Sequence, residues 1–293
     1  VDIAQLTDSL RSTIAADMDD AALFAQLAII TDRLRDGHSV LIGDQEDMEY
    51  IFDLEAGFAP GFDRDILFNN YIGSAVNPGI TLVGENEGRF DVLYGTLPQA
   101  PEIGYLWVPS WDISLSEEQI DQIIGDLQST DGLIVDMRQN TGGDPALSSR
   151  FAARFIDAGY YAGFERFKIG PDPDDFSDSP IDFAPSESNV RYLKSVIILT
   201  DRLVYSATTT FLYLLDPVGN RIQTMGQRSG GGSGSVADGV LANGWYYSLS
   251  VSEFIDARDR NLDDGVEPDI AVALDLTDPT QDEVIERAIL ELQ

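Results

Sequence analysis

Three places in the 293-residue chain hold residue types suited to acyl transfer. Ser206 stands in Leu199-Thr-Asp-Arg-Leu-Val-Tyr-Ser206-Ala-Thr, just after an apolar run that reads as a buried strand and at the start of a helix. A hydroxyl there becomes a nucleophile if a base lies within reach, and a helix N-terminus favours a developing negative charge. The same position also suits a helix N-cap serine, and local pattern alone favours the cap. His38, in Leu34-Arg-Asp-Gly-His-Ser39, is the single histidine. Imidazole is the side chain best suited to proton transfer near neutrality, so Ser–His chemistry has one available base here. The alternative for His38 is an ordinary structural role. Asn140-Thr-Gly-Gly-Asp144 follows a second apolar run. Paired glycines after a strand leave N–H groups open to an oxyanion, or simply make a tight turn. No GxGxxG or GxxxxGK[ST] pattern occurs in this segment, so it is no nucleotide fingerprint.

Composition narrows the chemistry further. Cysteine is absent, which excludes disulfides, thiolate metal sites and cysteine nucleophiles. One histidine excludes a multi-histidine metal site, and neither a metal nor a cofactor is expected. Acidic residues number 51 against 18 basic ones, for a net charge of −33, so nucleic acid and anionic membranes are repelled as partners. Only Lys168 and Lys194 are lysines. Such acidity suits saline surroundings, where counterions screen the self-repulsion. No run of 18 apolar residues is present, so no membrane span is expected. The chain starts at Val1 without a signal-peptide pattern, which suggests a mature or trimmed chain from which a leader has been removed.

These residues need elements to hold them. Apolar spacing of three to four makes residues 1–36 helical. Residues 37–100 are mixed, with strands expected at Ile80–Val83, Phe90–Leu93 and, just beyond, Ile103–Val108. From about residue 112 strands and helices alternate. An acidic amphipathic helix is expected over Ile113–Gln128, capped by Ser114 or Ser116. Gly132–Met137 and Val196–Thr200 read as buried parallel strands. Helices follow each, at about Ala146–Ile156 and Ala207–Leu215, and Gln281–Leu292 makes a terminal helix. Residues 170–189, rich in Pro, Asp and Ser, read as a loop. Arg221–Thr224, Leu249–Phe254 and Ile270–Val272 resemble further strands. The alternation argues for a mixed α/β fold with a mainly parallel sheet flanked by helices. Two parts are expected: a helical and mixed N-terminal subdomain, 1–100, carrying His38, and an α/β core, 101–293, carrying Ser206.

Taken in order, the segments resemble one family, the tail-specific or C-terminal processing serine peptidases, which include the tricorn core protease. Leu34–Ser39 is similar to that family's "LxDGHT" segment, and Gly132–Gly143 to its "GLIIDLRNNGGG". Val196–Asp201 followed by Ser206-Ala207 is similar to "VVVLTN…SAAE", Gly226–Gly232 to "GExTGGG", Leu241–Trp245 to "LPNGW", and Gly265–Ile270 to "GVxPDI". The resemblance spans roughly residues 20–292 and implies a ClpP/crotonase-like core.

It further implies that Ser206 is the nucleophile, with the oxyanion hole formed by the N–H of Ala207 and that of Gly142 or Gly143. Many members activate the serine with a lysine in a "TFGKG" segment. The matching Ser229–Ser233 holds none, and neither Lys168 nor Lys194 is near it in sequence. The tricorn-like branch uses a histidine base, and His38 falls on that position. The orienting carboxylate of the branch lies just before "GVxPD", which points to Asp263, with Asp264 the runner-up, once one residue is deleted. Two positions depart from the pattern: Thr209 replaces a glutamate, and Gly37 replaces the serine before tricorn's histidine. A PDZ module has no counterpart in the short interval between His38 and Gly104. The expected activity is endopeptidase cleavage of peptide or protein substrates, in a periplasmic or secreted bacterial setting. The alternative is a catalytically inactive relative that binds a peptide or an apolar ligand in the same cleft.

Overall fold

The computed structural model describes residues 3–73, 79–84, 91–172 and 174–293. In chain order the helices are α1 (Ile3–Arg11), α2 (Asp20–Leu34), α3 (Arg64–Ile66, running into a π-helical turn at Leu67–Ile72), α4 (Glu117–Leu127), α5 (Pro145–Ala152), α6 (Ala207–Leu215) and α7 (Glu283–Leu292). The strands are β1 (Val40–Ile42), β2 (Glu49–Ile51), β3 (Ile80–Val83), β4 (Val92–Leu97), β5 (Ala100–Trp107), β6 (Gly132–Asp136), β7 (Tyr160–Lys168), β8 (Phe176–Phe183), β9 (Ser195–Thr200), β10 (Ile222–Gly226), β11 (Val236–Val240), β12 (Tyr246–Ser250), β13 (Ser252–Asp256) and β14 (Ile270–Ala271).

The apolar run of β6 is the middle strand of a seven-stranded sheet ordered β14-β10-β9-β6-β5-β4-β3. The pairings from β14 to β5 are parallel, and β4 and β3 extend the edge antiparallel. Alternate side chains of a strand serve opposite faces. Leu133 and Val135 of β6, with Val196 and Ile198 of β9, meet Ile120, Ile124, Leu147, Phe151 and Phe211 from α4, α5 and α6. Ile134, Ile197 and Leu199 point the other way, onto Val284, Ile285, Ala288 and Ile289 of α7. A strand covered on both faces is apolar on both, which is why residues 133–135 of β6 and 196–199 of β9 show no alternation in sequence; Asp136, at the end of β6, is buried as an ion pair with Arg138. A second sheet, β11-β12-β1-β2, is wholly antiparallel, and Phe24 of α2 packs against its Leu41 and against Trp245. The third sheet is the ribbon β13-β7-β8.

The expected elements are present with differences. Helix 1–36 is two helices: the chain breaks at residues 12–19 and restarts where Asp19 caps α2 by accepting from the Ala22 N–H. Ser116, not Ser114, caps α4, in a reciprocal capping box with Gln119. Residues 170–189 are not all loop, because Phe176–Phe183 pairs with β7. Pro180 is tolerated there since β8 is an edge strand. Strand Leu249–Phe254 divides at Val251, its halves joining different sheets. Phe90 of the expected strand Phe90–Leu93 lies outside the described residues, and the strand runs over Val92–Leu97. Strands β3 and β4, from segment 1–100, are hydrogen-bonded into the sheet of segment 101–293, so the large sheet crosses the 100/101 boundary.

Among the described residues no helix is long and apolar enough to cross a membrane, and no group of three or more His, Asp or Glu side chains is arranged to hold a metal ion.

Candidate active site

β6 and β9 are neighbours and parallel, so their C-terminal ends lie side by side, where ligands gather in open α/β sheets. The chain leaving β6 makes the turn Met137–Asp144, and the chain leaving β9 makes the turn Asp201–Ser206. Asp201 ties the two: its carboxylate accepts from the Gln139 N–H at 3.1 Å and the Leu203 N–H at 3.0 Å. Burial pushes that carboxyl up to about 6 despite these bonds. Asn140 adds a second tie. Its Oδ1 accepts from the Gly142 N–H at 3.0 Å and from the Thr208 hydroxyl at 2.8 Å, and its backbone carbonyl accepts from the Tyr205 N–H.

Ser206 is the hinge from turn to α6, with φ 55° and ψ −123°. A left-handed φ on a side chain with Cβ costs about 1–3 kcal/mol and is held only when the surroundings over-determine it. Its own N–H donates to the Gly231 carbonyl at 3.0 Å, and the Thr209 hydroxyl donates to that same carbonyl at 2.7 Å. Thr209, where the family pattern has glutamate, thus braces the turn. The strain aims the hydroxyl away from the helix: Ser206 makes no N-cap bond, and its Oγ lies 2.9 Å from His38 Nε2. The cap favoured by local pattern is therefore not formed.

His38 comes from the other end of the chain. α2 ends on Arg35 in the left-handed conformation, and Asp36 makes an Asx turn by accepting from the His38 N–H at 3.0 Å. Gly37 passes close beneath Tyr205, whose hydroxyl accepts from the Gly37 N–H at 2.9 Å; a Cβ at Gly37 would approach the ring to 3.2 Å. β1 then starts, paired antiparallel to β12 with Val40 opposite Ser248. Carried back two residues, that register sets His38 opposite Ser250.

The Nδ1 side of His38 accordingly meets Ser250 Oγ at 3.4 Å, and Ser250 Oγ donates to Asp36 Oδ2 at 2.7 Å. Asp36 Oδ1 is 3.9 Å from Nδ1 and accepts from the Tyr205 hydroxyl at 2.6 Å. The His38 ring stacks at a tilt on Tyr205, with centroids 4.9 Å apart. Only 16% of the His38 side chain is exposed. That burial lowers its pKa by disfavouring imidazolium, with the Asp36 charge pulling the other way. Burial also pushes the Asp36 carboxyl up, but hydrogen bonds from Tyr205, the His38 N–H and Ser250 outweigh it and hold the group below its ordinary value. Burial and Asp36 together push the Tyr205 phenol up, so it stays a donor.

The two glycines divide their roles. Gly142 (φ 111°) lies against the nucleophile: a Cβ there would stand 2.7 Å from Ser206 Cβ. Its N–H is taken by Asn140. The N–H groups of Gly143 (φ 126°) and Ala207 donate to no acceptor among the described residues, and both residues line the cavity that holds His38 and Ser206.

Asp263 is not brought to His38. Its carboxylate accepts from the Ser233 N–H and hydroxyl, both at 3.0 Å, and burial, with Asp36 adding to it, raises its pKa. Asp264 makes no hydrogen bond to His38 either. The physical reason is register: the β1–β12 pairing puts Ser250 and Asp36 on the Nδ1 side of the ring. Asp36 sits two residues before His38 and was open to view in sequence as half of an Asx turn. Ser250 carries no local signal. The lysines are elsewhere: Lys168 Nζ bonds the Asp172 carbonyl, and Lys194 Nζ the Thr130 carbonyl.

A mainly parallel sheet with a strained serine at a strand-to-helix turn, a histidine on its hydroxyl and free N–H groups beside it defines a serine hydrolase architecture. The model of peptidase family S41 matches residues 102–272, well over half of the chain, and the chain belongs to that family of serine peptidases. It is similar to a crystal structure from Parabacteroides merdae ATCC 43184 assigned as a peptidase, at 29% identity and TM-score 0.88, covering 100% of this chain and 89% of that one. The photosystem II D1 C-terminal processing protease shares the fold at 15% identity and TM-score 0.54, covering 99% of this chain and 91% of that one. Mature CPAF in complex with lactacystin does so at 16% and 0.55, over 72% of this chain and 54% of that one. A search of curated protein sequences yields no match.

Proposed function

We propose that this serine peptidase hydrolyses peptide bonds through an acyl-enzyme on Ser206, with His38 as general base and Asp36, acting through Ser250, as the orienting acid. The observation that carries the reading is the 2.9 Å contact between Ser206 Oγ and His38 Nε2, made across 168 positions of sequence. Ser250 donates to Asp36, so its oxygen is left to accept the Nδ1–H of His38. That tautomer keeps a lone pair on Nε2, as a base requires. His38 takes the Ser206 proton as Oγ attacks the substrate carbonyl. The oxyanion then receives the Gly143 and Ala207 N–H groups, while Gly142 keeps the approach to Oγ free of a side chain. The imidazolium gives its proton to the leaving amine, and the acyl-enzyme forms. Water, deprotonated by the same imidazole, attacks the acyl carbon; the acid product leaves and Ser206 regains its proton. Each N–H of the oxyanion hole contributes about 10²–10³ in rate.

Labelling with a fluorophosphonate probe, read by intact mass, tests the proposal. The parent gains one adduct and hydrolyses peptides, while Ser206→Ala and His38→Ala lose both, because nucleophile and base act as a unit. Substantial hydrolysis by His38→Ala overturns the base assignment. A parent that neither labels nor cleaves supports the non-catalytic, ligand-binding alternative.

A further inference from the structure

The cavity that holds Ser206 and His38 has a volume of about 520 Å³, within the range of specific ligand pockets. Much of its wall is apolar: Ile181, Tyr213, Leu214 and Phe254 line it. One carboxylate interrupts this lining, that of Glu165 on β7. Glu165 stands opposite Phe254 in the β7–β13 pair, so both side chains share a face of the ribbon. Its Oε1 accepts from two hydroxyls, Ser235 at 2.7 Å and Ser252 at 2.5 Å, and the Ser235 N–H in turn donates to Ser252 Oγ. These bonds fix the carboxylate through one oxygen. Among the described residues Oε2 has no partner and no arginine or lysine forms an ion pair with Glu165; the adjacent Arg166 pairs with Asp178 and Glu253.

A half-buried carboxylate with one oxygen committed and the other open suits one class of visitor. An apolar substrate side chain would strip water from Oε2 and give nothing back, which costs free energy. A lysine or arginine would lay its aliphatic stem along the apolar wall and set its cationic head against Oε2. The net charge of −33 adds long-range attraction for cationic peptides. Resting on the peptidase reading above, we infer that Glu165 is a specificity-determining residue and that the cleft takes peptides with a lysine or arginine side chain next to the scissile bond.

Fluorogenic peptides identical except for Lys, Arg, Leu or Glu at that position provide the test. The parent is expected to cleave the Lys and Arg peptides at least about tenfold faster in kcat/KM than the Leu peptide, and the Glu peptide slowest. Glu165→Gln keeps the shape of the side chain and removes its charge; it should lower the Lys-to-Leu ratio by about tenfold or more, the worth of one charge-assisted bond. Anisotropy binding of the same peptides to Ser206→Ala should give the same order without turnover. A parent that labels with fluorophosphonate but prefers Leu over Lys overturns the inference and leaves the peptidase reading intact. So does an unchanged Lys-to-Leu ratio in Glu165→Gln. A parent that does not label overturns the peptidase reading, and the order of binding to Ser206→Ala then decides the Glu165 assignment alone.

Discussion

Ser250→Ala separates two acids. In the structure Ser250 joins His38 Nδ1, 3.4 Å away, to Asp36, 2.7 Å away, whereas the Asp263 carboxylate binds Ser233 through Oδ1 and makes no hydrogen bond to His38. Removing the Ser250 hydroxyl leaves Nδ1 facing Asp36 Oδ1 across 3.9 Å, beyond hydrogen-bond reach. The loss is one hydrogen bond to a group that becomes charged in the transition state, about 1.5–3 kcal/mol, or roughly 10- to 150-fold in kcat/KM. The ceiling is the roughly 10⁴-fold loss caused by neutralising the acid of a Ser-His-Asp triad. A water molecule entering the space of the lost hydroxyl would restore part of the bridge, so the lower part of the range, about 10- to 50-fold, is expected. Ser250 is a positioning residue and touches no substrate in this scheme. The fall should therefore sit in kcat with KM little changed, and Ser250→Thr, which keeps the hydroxyl, should recover much of it. Steady-state kinetics of Ser250→Ala, Ser250→Thr and Asp263→Asn, with fluorophosphonate labelling rates as a second readout, make the comparison. The reasoning is refuted if Ser250→Ala stays within about threefold of the parent, or if Asp263→Asn is the more damaged enzyme.

Gly142→Ala should cost at least about 10² in labelling rate, since its Cβ would stand 2.7 Å from Ser206 Cβ on a backbone with φ 111°; a labelling rate near the parent's would show that the turn relaxes freely. The kcat/KM profile should have an acid limb centred below 6.5, because burial lowers the His38 pKa and only the neutral imidazole can take the Ser206 proton. Activity is then full above that point and lost as pH falls through it; a midpoint at or above 7 contradicts the stated environment. The melting temperature should rise as NaCl goes from about 0.01 M to about 1 M, because the Debye length falls from about 30 Å to about 3 Å and screens the repulsion among carboxylates of a chain at −33. A melting temperature that is flat or falls with salt rules this out.

The sequence by itself determined the parts whose signals are local. The apolar runs of β6 and β9 announced buried parallel strands, the amphipathic spacing of α4 announced a helix with one apolar face, and α7 was legible as a terminal helix. Those elements set Ser206, Gly142 and Gly143 at strand ends, where local pattern favoured a cap and a tight turn, and left His38 as the single base on offer; their catalytic roles were implied only by the ordered resemblance to the processing peptidases. Local signals misread what depends on partners. The segment around Pro180 looked like loop because proline and aspartate are poor strand formers, yet edge pairing with β7 holds Phe176–Phe183 extended. Ser206 looked like a helix cap because its type and place fit one, and only the Gly231 carbonyl, Asn140 and His38, all remote in sequence, turn its hydroxyl elsewhere. Which carboxylate comes to the Nδ1 side of His38 was not decided by local pattern, although Asp36 stood only two residues away in sequence. Several aspartates lay at plausible places in the chain, and a hydrogen bond is decided within a few tenths of an ångström. The antiparallel register of β1 on β12, which sets Ser250 across from His38 over 212 positions, exists only once both ends of the chain have packed on the same sheet.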